Sequence, residues 1–405
     1  MFLSYKYRIY PHFDQAKKLE QWMSLCCALY NAALEQRQKA WRLGKSLGWA
    51  DQQLEIKEVR TLPGFDNVPG HVLRDALKRL DKAFQNFFGR CKKKVAKVGY
   101  PRFKPRASYF SLTSPDPGNY IRENRLYFPK MSPIRVKMHR PLPDGAKVKT
   151  ATIKKTAAGW FVFLAVEVAT STPPPHPGQP LGIDVGLKHF LTASFGGLEY
   201  LTVEPHRFLR NAEKRLKRAQ RSLSRKQKGS NNRRKQRHKV ALLHSKVVNQ
   251  RNDFQWKVAS AFAKECSIIY VEDLQIRNMV KNHCLAKAIH DASWGTFLTK
   301  LAHSCVKTGA KFVKVNPRNT SKTCSNCGWV WKAMTLEHRD FKCETCGLVL
   351  DRDINAAVNI LKLGQDMPEV TPAETRSSTS RYRRKASSVI EAGTIGRKAE
   401  TTTAT

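Results

Sequence analysis

Three carboxylates occupy positions where an acid requires an explanation. Asp184 lies at the centre of the apolar strand predicted for LGIDVGLKHF, and Glu272 at the carboxyl end of the strand predicted for SIIYVEDL. Asp353 lies in the opening turn of the helix predicted for DINAAVNIL. Glu272 could mark the solvated end of a strand, and Asp351 or Asp353 could cap the helix. Asp184 is harder to explain, because burying an unpaired carboxylate costs several kcal/mol or more.

Two strand acids and one helix acid could converge on divalent metal. Hydrolysis of a phosphodiester by two metal ions about 4 Å apart requires bridging and flanking carboxylates. We therefore predict that Asp184, Glu272 and Asp353 hold two catalytic Mg²⁺ ions, and that Asp351 caps the helix.

A second metal site is predicted from cysteine spacing. Cys324 and Cys327 form one CxxC pair, Cys343 and Cys346 form another, and each pair is followed by glycine. Each CxxC pair with its following glycine forms a tight turn called a knuckle, whose two thiolates can bind one ion. Two such knuckles close a tetrahedral four-thiolate site without an open position, which is typical of structural Zn²⁺. A disulfide pair or a redox CxxC is the alternative, and it is disfavoured by the spacing and by the expected cytoplasmic location.

The charge of the chain indicates a polyanionic partner. The 405 residues include 73 Lys+Arg and 32 Asp+Glu, a formal net charge of +41. Nucleic acid is the natural partner for such an excess, and an anionic membrane surface is the alternative. The longest apolar run, WFVFLAVEVA, is short and contains Glu167, so it predicts a strand and no membrane span. The N-terminus lacks the continuous apolar segment of a signal peptide, so we expect a cytoplasmic, nucleoid-associated protein.

The apolar periodicity changes along the chain. Residues 2–10 alternate as a strand, and the pattern is helical from there to about residue 98, with a break at 63–70. Short strands follow, including a hairpin with its turn at Ala158-Gly159. The proline-rich segment 171–180 predicts a linker, after which paired strands begin a second domain.

Long basic helices are predicted over residues 206–257. Apolar residues recur there at three- and four-residue spacing, while lysine and arginine occupy the other faces. A basic helix face can simply be solvated, but the charge of the whole chain favours a nucleic-acid track. The residues predicted to contact nucleic acid along it are Arg218, Arg221, Arg225 and Arg251.

The motifs together resemble one family. GIDVGLKHF, YVEDLQIRNM, SWGTFLTKLAHSC, NPRNTSKTCSNCG, FKCETCG and DRDINAAVNI occur here in the order found in TnpB (OrfB) proteins. These are encoded by insertion sequences and are related to the type V CRISPR effector nucleases. YRIYP, KAFQNFF and GYPRFK extend the resemblance to most of the chain.

The resemblance implies an α+β multidomain fold. Its parts are a wedge-like β-barrel at 1–11 and 99–170, a helical recognition insertion at 12–98, an RNase H-like (RuvC-type) α/β nuclease domain at 181–323 and 347–364, and a zinc ribbon at 324–346. The linker at 171–180 separates the barrel from the nuclease domain. The tail at 365–405 is predicted to be disordered from its composition, because it is rich in Thr, Ser, Ala and charged residues and has no apolar period.

The resemblance also implies an activity, which is Mg²⁺-dependent cleavage of double-stranded DNA beside a short motif. A guide RNA (omega RNA) from the end of the element would pair with the target DNA, so that base pairing supplies specificity. The family's catalytic acids correspond to Asp184, Glu272 and Asp353. The helix carrying His71, Arg74 and Lys78 is the candidate reader of the adjacent motif, and we expect one protein copy in the ribonucleoprotein.

Three alternatives remain at this point. An RNA-guided repressor would bind without cutting, and a conventional transposase would join element ends without RNA. A general RNA-binding protein would explain the charge but would leave Asp184 without a purpose.

Overall fold

The computed structural model describes residues 2–93, 98–115, 120–168, 173–174, 176–197, 199–335 and 337–367. The chain divides into two compact units, Met1–Thr170 and Ser171–Thr405. Most of the predicted tail, and residues 171, 172 and 175 of the predicted linker, lie outside the described residues.

The first unit combines short and long strands with two long helices. Its elements in chain order are β1 (Phe2–Tyr10), α1 (Phe13–Arg42), α2 (Trp49–Leu54), α3 (Ile56–Val59), α4 (Gly70–Lys92), a 3₁₀ turn (Arg106–Ser108), β2 (Ser111–Ser114), β3 (Ile121–Arg122), β4 (Arg125–Leu126), β5 (Ile134–Lys137), β6 (Lys147–Thr156) and β7 (Gly159–Glu167).

The strands of this unit form one antiparallel sheet of seven strands in the order β2-β6-β7-β1-β5-β4-β3. Strand β1 was predicted from alternation, and the prediction is confirmed, because Tyr5, Tyr7 and Ile9 are buried on one face. The predicted hairpin turn was one residue late. Thr156 pairs with Gly159, so the turn residues are Ala157 and Ala158.

Helices α1 and α4 share a hydrophobic core with this sheet. Trp22 and Leu34 of α1 and Leu77 of α4 are almost fully buried in the same cluster as Tyr7. The predicted helical region between the first strand and the later strands is therefore confirmed.

The second unit alternates strands and helices. Its elements are β8 (Gln179–Asp184), β9 (Leu191–Gly196), β10 (Glu199–Val203), α5 (Phe208–Ser224), α6 (Asn231–Glu265), β11 (Cys266–Glu272), α7 (Ile276–Met279), α8 (His283–Ala292), α9 (Trp294–Thr308), β12 (Lys311–Val315), β13 (Asp340–Lys342), β14 (Val349–Asp351) and α10 (Arg352–Gln365). Strand β8 includes the last two residues of the predicted linker, Gln179 and Pro180.

Five of these strands form a mixed sheet in the order β10-β9-β8-β11-β12. Strands β8, β9 and β10 pair antiparallel, whereas β8, β11 and β12 run parallel. Strands β13 and β14 form a separate two-stranded ribbon. Among the described helices, none is long and apolar enough to span a bilayer.

Helices cover both faces of the mixed sheet. On one face, Ile183 of β8 and Val271 of β11 pack in a core with Phe262 of α6 and Phe297 of α9. On the other face, Tyr270 of β11 packs against Ile360 and Leu361 of α10. Alternate residues of each strand point to opposite faces, which explains this division.

Helix α10 is buried on all sides from Asp353 to Leu361. It also lies unusually close to the sheet. A Cβ atom added at Gly182 would lie 2.4 Å from the Ala357 carbonyl oxygen and 2.7 Å from the Leu361 nitrogen. Near the other end of α10, Gly364 lies directly against the Tyr270 ring. The helix can reach this depth only because both positions lack a side chain.

Gly182→Ala is expected to destabilise the second unit by about 1–3 kcal/mol, because the new methyl group meets helix backbone that cannot rotate away. Thermal unfolding would measure this. Gly89→Ala is the matched control, since no atom of the described residues lies within 4 Å of the added atom. Equal stability of Gly182→Ala and wild type would contradict the close approach.

Candidate active site and metal centre

The parallel pairing of β8 and β11 brings two of the predicted acids to one edge of the sheet. Ile183 pairs with Val271, and the next residue in each strand is Asp184 and Glu272. Glu272 ends β11 as predicted. Asp184 was predicted at a strand centre, which is wrong: it is the last residue of β8. The run LGIDVGLKHF continues to be apolar after the strand stops, which is why its pattern conceals the end.

The third acid reaches the same edge from α10. Asp184 follows Gly182 by two residues and Glu272 follows Tyr270 by two, so both side chains point to the face covered by α10. Asp353 is in the first turn of that helix and is buried. The β8–β9 connection closes over it, since a Cβ atom at Gly186 would lie 3.6 Å from Asp353 Oδ2.

The surroundings of Asp184 and Glu272 disfavour the ionised form of both carboxyl groups. Burial raises the pKa of Asp184 well above its usual value, and the Glu272 and Asp353 carboxylates raise it further. The Arg352 guanidinium lowers the pKa of Asp184 without offsetting these effects. Burial also raises the pKa of Glu272, against a hydrogen bond from Thr320 Oγ1. Such carboxylates would be stabilised in the ionised form by a cation.

The three acids are less tightly grouped than the four cysteines. Among the described residues, the three carboxylates do not form a group with all ligand oxygens within 4.8 Å of one another. Acids that flank two ions about 4 Å apart need not be so close, because each binds its own ion at about 2.1 Å.

Asp351 has the structural role predicted for it. Its Oδ1 accepts from the Asp353 backbone N–H at 2.8 Å, and its Oδ2 accepts from Lys188 Nζ at 2.6 Å. Burial raises the pKa of Asp351, but the hydrogen bonds from Lys188 and from the helix backbone outweigh it, and the pKa is lowered overall. Because Asp351 caps the helix, the Asp353 carboxylate is not needed for capping; its Oδ1 instead lies 3.4 Å from Arg352 Nη2.

The four predicted zinc cysteines meet at one point. Their Sγ atoms all lie within 4.8 Å of one another, with 3.6 Å between Cys324 and Cys346 and 3.4 Å between Cys327 and Cys343. These distances are too long for disulfides. They approach the separation of about 3.8 Å expected between thiolates around one tetrahedral Zn²⁺. The glycines close the knuckles as predicted, with φ of 78° at Gly328 and 73° at Gly347.

Hydrogen bonds from two asparagines of α10 hold the first knuckle. Asn355 Nδ2 donates to the Thr323 carbonyl at 2.8 Å, and Asn355 Oδ1 accepts from the Ser325 N–H at 2.9 Å. Asn359 Nδ2 donates to the carbonyls of Thr320 and Thr323 at 2.8 Å and 2.6 Å. Thr320 in turn donates to Glu272. The cysteine site and the carboxylate edge are therefore joined by short polar contacts.

Asn355, Asn359 and Thr320 were not among the site residues predicted from the sequence. A signal existed for the asparagines, since two amides four residues apart on an apolar helix require buried partners. No comparable signal marked Thr320, because its partner Glu272 is 48 residues away.

The residues predicted to contact nucleic acid divide into two groups. Arg218 and Arg221 are exposed on α5, which forms a hairpin with α6, and Arg225 is exposed directly after the end of α5. Arg251 is mostly buried, and its guanidinium donates to Asp291 at 3.0 Å. The geometry therefore gives Arg251 an internal partner that the other three arginines do not share.

The helix residues predicted to read DNA lie on α4. Arg74 and Lys78 are exposed and one turn apart, and His71 is partly buried at the start of the helix. The exposed pair offers two positive charges on one helix face.

Comparison with protein families identifies three segments. Residues 163–283 match a family described as probable transposase, residues 294–360 match the Cas12f1-like TNB domain, and residues 1–46 match a helix-turn-helix domain.

Relatives resemble the chain over most of its length. A Streptomyces pristinaespiralis protein is 36% identical over 89% of this chain and 89% of its own, and InsQ of Escherichia coli strain K12 is 30% identical over 89% and 92%. Both carry the provisional name RNA-guided DNA endonuclease. A solved Cas12f1–sgRNA–target DNA complex aligns over 89% of this chain and 99% of its own with 18% identity and a TM-score of 0.36.

Asp184→Asn is expected to raise the stability of the metal-free protein at neutral pH. The raised pKa means that the ionised carboxylate destabilises the fold above its usual titration range, and the amide removes that charge. A gain of about 1 kcal/mol would raise the melting temperature by about 2–4 °C in EDTA.

Asp351→Ala is the opposing control for that measurement. It removes the cap and the Lys188 partner, so it should lower stability by about 1 kcal/mol. A loss of stability in Asp184→Asn as well would show that the protein's own cations already neutralise Asp184.

Cys327→Ser is expected to abolish metal binding at the cysteine site, because three thiolates and a hydroxyl hold Zn²⁺ less well than four thiolates. Elemental analysis of the purified protein would measure it. Cys91→Ser is the matched control, an exposed cysteine outside the cluster. Metal content that is equal in both variants would exclude the four-cysteine site.

Proposed function

Because the chain belongs to the TnpB (OrfB) family, we propose that it is an RNA-guided DNA endonuclease that cuts double-stranded DNA beside a short motif. The observation that carries the proposal is the meeting of Asp184, Glu272 and Asp353 at one edge of a sheet, in a chain of formal charge +41. The names of its relatives support the choice of DNA as substrate and RNA as guide.

The fold proposed for the second unit is RNase H-like, of the RuvC type. Its strand order, β10-β9-β8-β11-β12, with three antiparallel strands followed by two parallel crossovers, supports this assignment. The first unit is proposed to be the wedge-like barrel with its helical insertion, and its curled antiparallel sheet is compatible with that role.

Asp184, Glu272 and Asp353 would hold the catalytic Mg²⁺ ions. When bound, such ions supply an activated water and stabilise the leaving oxygen. The chain's own residues prepare the site. Thr320 holds the Glu272 carboxylate by a hydrogen bond, and Asp351 fixes the start of α10 so that Asp353 stays at the edge.

The four cysteines would hold one Zn²⁺ ion with a structural role. The site offers thiolates only and no open position, which fits zinc and disfavours catalysis at this point. Its function would be to stiffen the ribbon whose first knuckle is hydrogen-bonded to α10.

The exposed basic residues would contact nucleic-acid backbone. Arg218, Arg221 and Arg225 are proposed to lie along the guide–target heteroduplex, which the protein would recognise by shape and charge. Arg251 is proposed to contact the nucleic-acid backbone as well, while it keeps its ion pair with Asp291. His71, Arg74 and Lys78 are proposed to read the target-adjacent motif, and one protein copy is proposed per ribonucleoprotein.

RNA guidance can be tested by expressing the chain with the DNA that follows its gene and sequencing the RNA that co-purifies. A single RNA that covers the end of the gene and continues into flanking sequence supports the proposal. Random fragments would refute it. Strand joining by RNA-free protein would instead indicate a conventional transposase.

Glu272→Gln and Asp184→Ala are expected to slow DNA cleavage by at least about 100-fold while guide and target binding persist. The reason is that divalent metal supplies several kcal/mol of transition-state stabilisation. Cleavage of a labelled target and gel-shift binding would be measured in parallel with Mg²⁺ or EDTA.

Asp273→Asn is the matched control. It is the next residue after Glu272, but its half-exposed side chain pairs with Lys314. Binding without cleavage in the wild-type complex would favour the RNA-guided repressor. Normal cleavage by Asp184→Ala would remove that residue from the mechanism.

A further inference from the structure

A cavity of about 370 Å³ lies beside the carboxylate edge in the second unit. One wall is the β8–β9 connection at Gly186 and Leu187, and the others come from the segment before α5 and from α6 and α8. Gly186 also faces the catalytic side, since its added Cβ atom would lie 3.6 Å from Asp353 Oδ2. The cavity and the carboxylates are therefore separated by a single turn of chain.

Four aromatic rings line the cavity, and one of them, Phe190, meets Phe254 edge-on with centroids 4.9 Å apart. His206 and Phe208 stack with centroids 5.2 Å apart and an interplanar angle of 25°, and Phe254 meets His206 edge-on at 4.5 Å. Arg207, between the stacked residues, adopts the left-handed conformation with φ of 46°. A residue other than glycine seldom adopts this conformation, and such exceptions concentrate at functional sites.

The cavity is electrically positive. Its acid, Asp291, is satisfied within the protein by Arg251 at 3.0 Å and by the backbone N–H groups of Leu209 and Arg210 at 2.9 Å and 3.2 Å. Arg207 and Arg210 are exposed at the cavity, and neither guanidinium forms an ion pair with a described residue. A ligand with a flat face and a negative charge would match this combination.

We propose that this cavity binds one base of the single-stranded DNA next to the phosphodiester that is cut. The base stacks on His206 and Phe208, and Arg207 and Arg210 bind the adjoining phosphates. Aromatic stacking accepts any base, so the pocket positions the strand without reading its sequence. The volume suits a base with its sugar and excludes a duplex. The proposal deepens the proposed function and rests on it.

A binding assay tests the pocket without requiring cleavage. The probe is a single-stranded oligonucleotide with one 2-aminopurine, added to the full-length Asp184→Ala protein with its co-purified RNA. Stacking should quench the emission, and His206→Ala or Phe208→Leu should remove the quenching. His290→Ala is the matched control, an exposed histidine of α8 that does not line the cavity. Equal quenching in all variants would overturn the proposal.

A kinetic cycle tests the position of the base. In a cleavage-competent complex, one abasic nucleotide is moved through the positions that flank the cut. At one position it should slow cleavage about 5- to 100-fold, the range expected for loss of one stacked base. His206→Ala should slow cleavage of normal DNA similarly and should add no further loss at that position.

The two proposals can fail separately. The pocket proposal fails, and the endonuclease stands, if the complex cuts DNA but an abasic nucleotide slows cleavage at no position. The same holds if the loss caused by the abasic nucleotide and the loss caused by His206→Ala multiply when the two are combined. If 2-aminopurine is quenched in the pocket but the wild-type complex never cuts DNA, the proposed endonuclease fails. A signal that arises only with 2-aminopurine in the guide RNA would also overturn the assignment to DNA.

Discussion

Two neighbouring parallel strands must end at the same edge of a sheet, and in this chain each of them ends on a carboxylate. The register that pairs Ile183 with Val271 leaves Asp184 and Glu272 side by side, and strand alternation points both toward α10. Like charges at that spacing repel, so the arrangement costs free energy that the rest of the unit must offset. The close packing of α10 on Gly182 is what holds the third acid, Asp353, against the same edge.

Helix α10 is the element on which both metal sites depend. Its first turn carries Asp353, and Asn355 and Asn359 hold the segment that leads into the first cysteine knuckle. The same segment supplies Thr320 to Glu272. Loss of metal from the cysteines would therefore loosen a segment that touches an acid of the active site, without any contact between the metal and the substrate. The ribbon has a small core of its own. Its hydrogen bonds to α10 therefore serve to couple the cysteine site to the active site.

The sequence predicts the features that depend on local pattern. It identifies the β1 strand, the basic helices, the knuckle glycines and the helix cap, because alternation, helical spacing and short motifs report neighbouring residues. It misplaces Asp184 within its strand and the hairpin turn by one residue, since apolar residues continue past both boundaries. The contact of Thr320 with Glu272 and the internal pairing of Arg251 with Asp291 join distant parts of the chain, and no local pattern encodes them.

The electrostatics of the second unit favour a bound cation at the edge. Several acids of this basic chain pair with its own cations: Asp351 with Lys188, Asp291 with Arg251, Asp273 with Lys314 and, at the edge itself, Asp353 with Arg352. The pKa of Asp184 is raised even with Arg352 nearby, so the protein's own charges do not neutralise this group. A lysine or arginine side chain that neutralised Asp184 would also compete with the substrate phosphate for the same space. A divalent ion can instead bind carboxylate and phosphate oxygens together, which is why an acidic edge within a strongly basic protein suits phosphodiester cleavage.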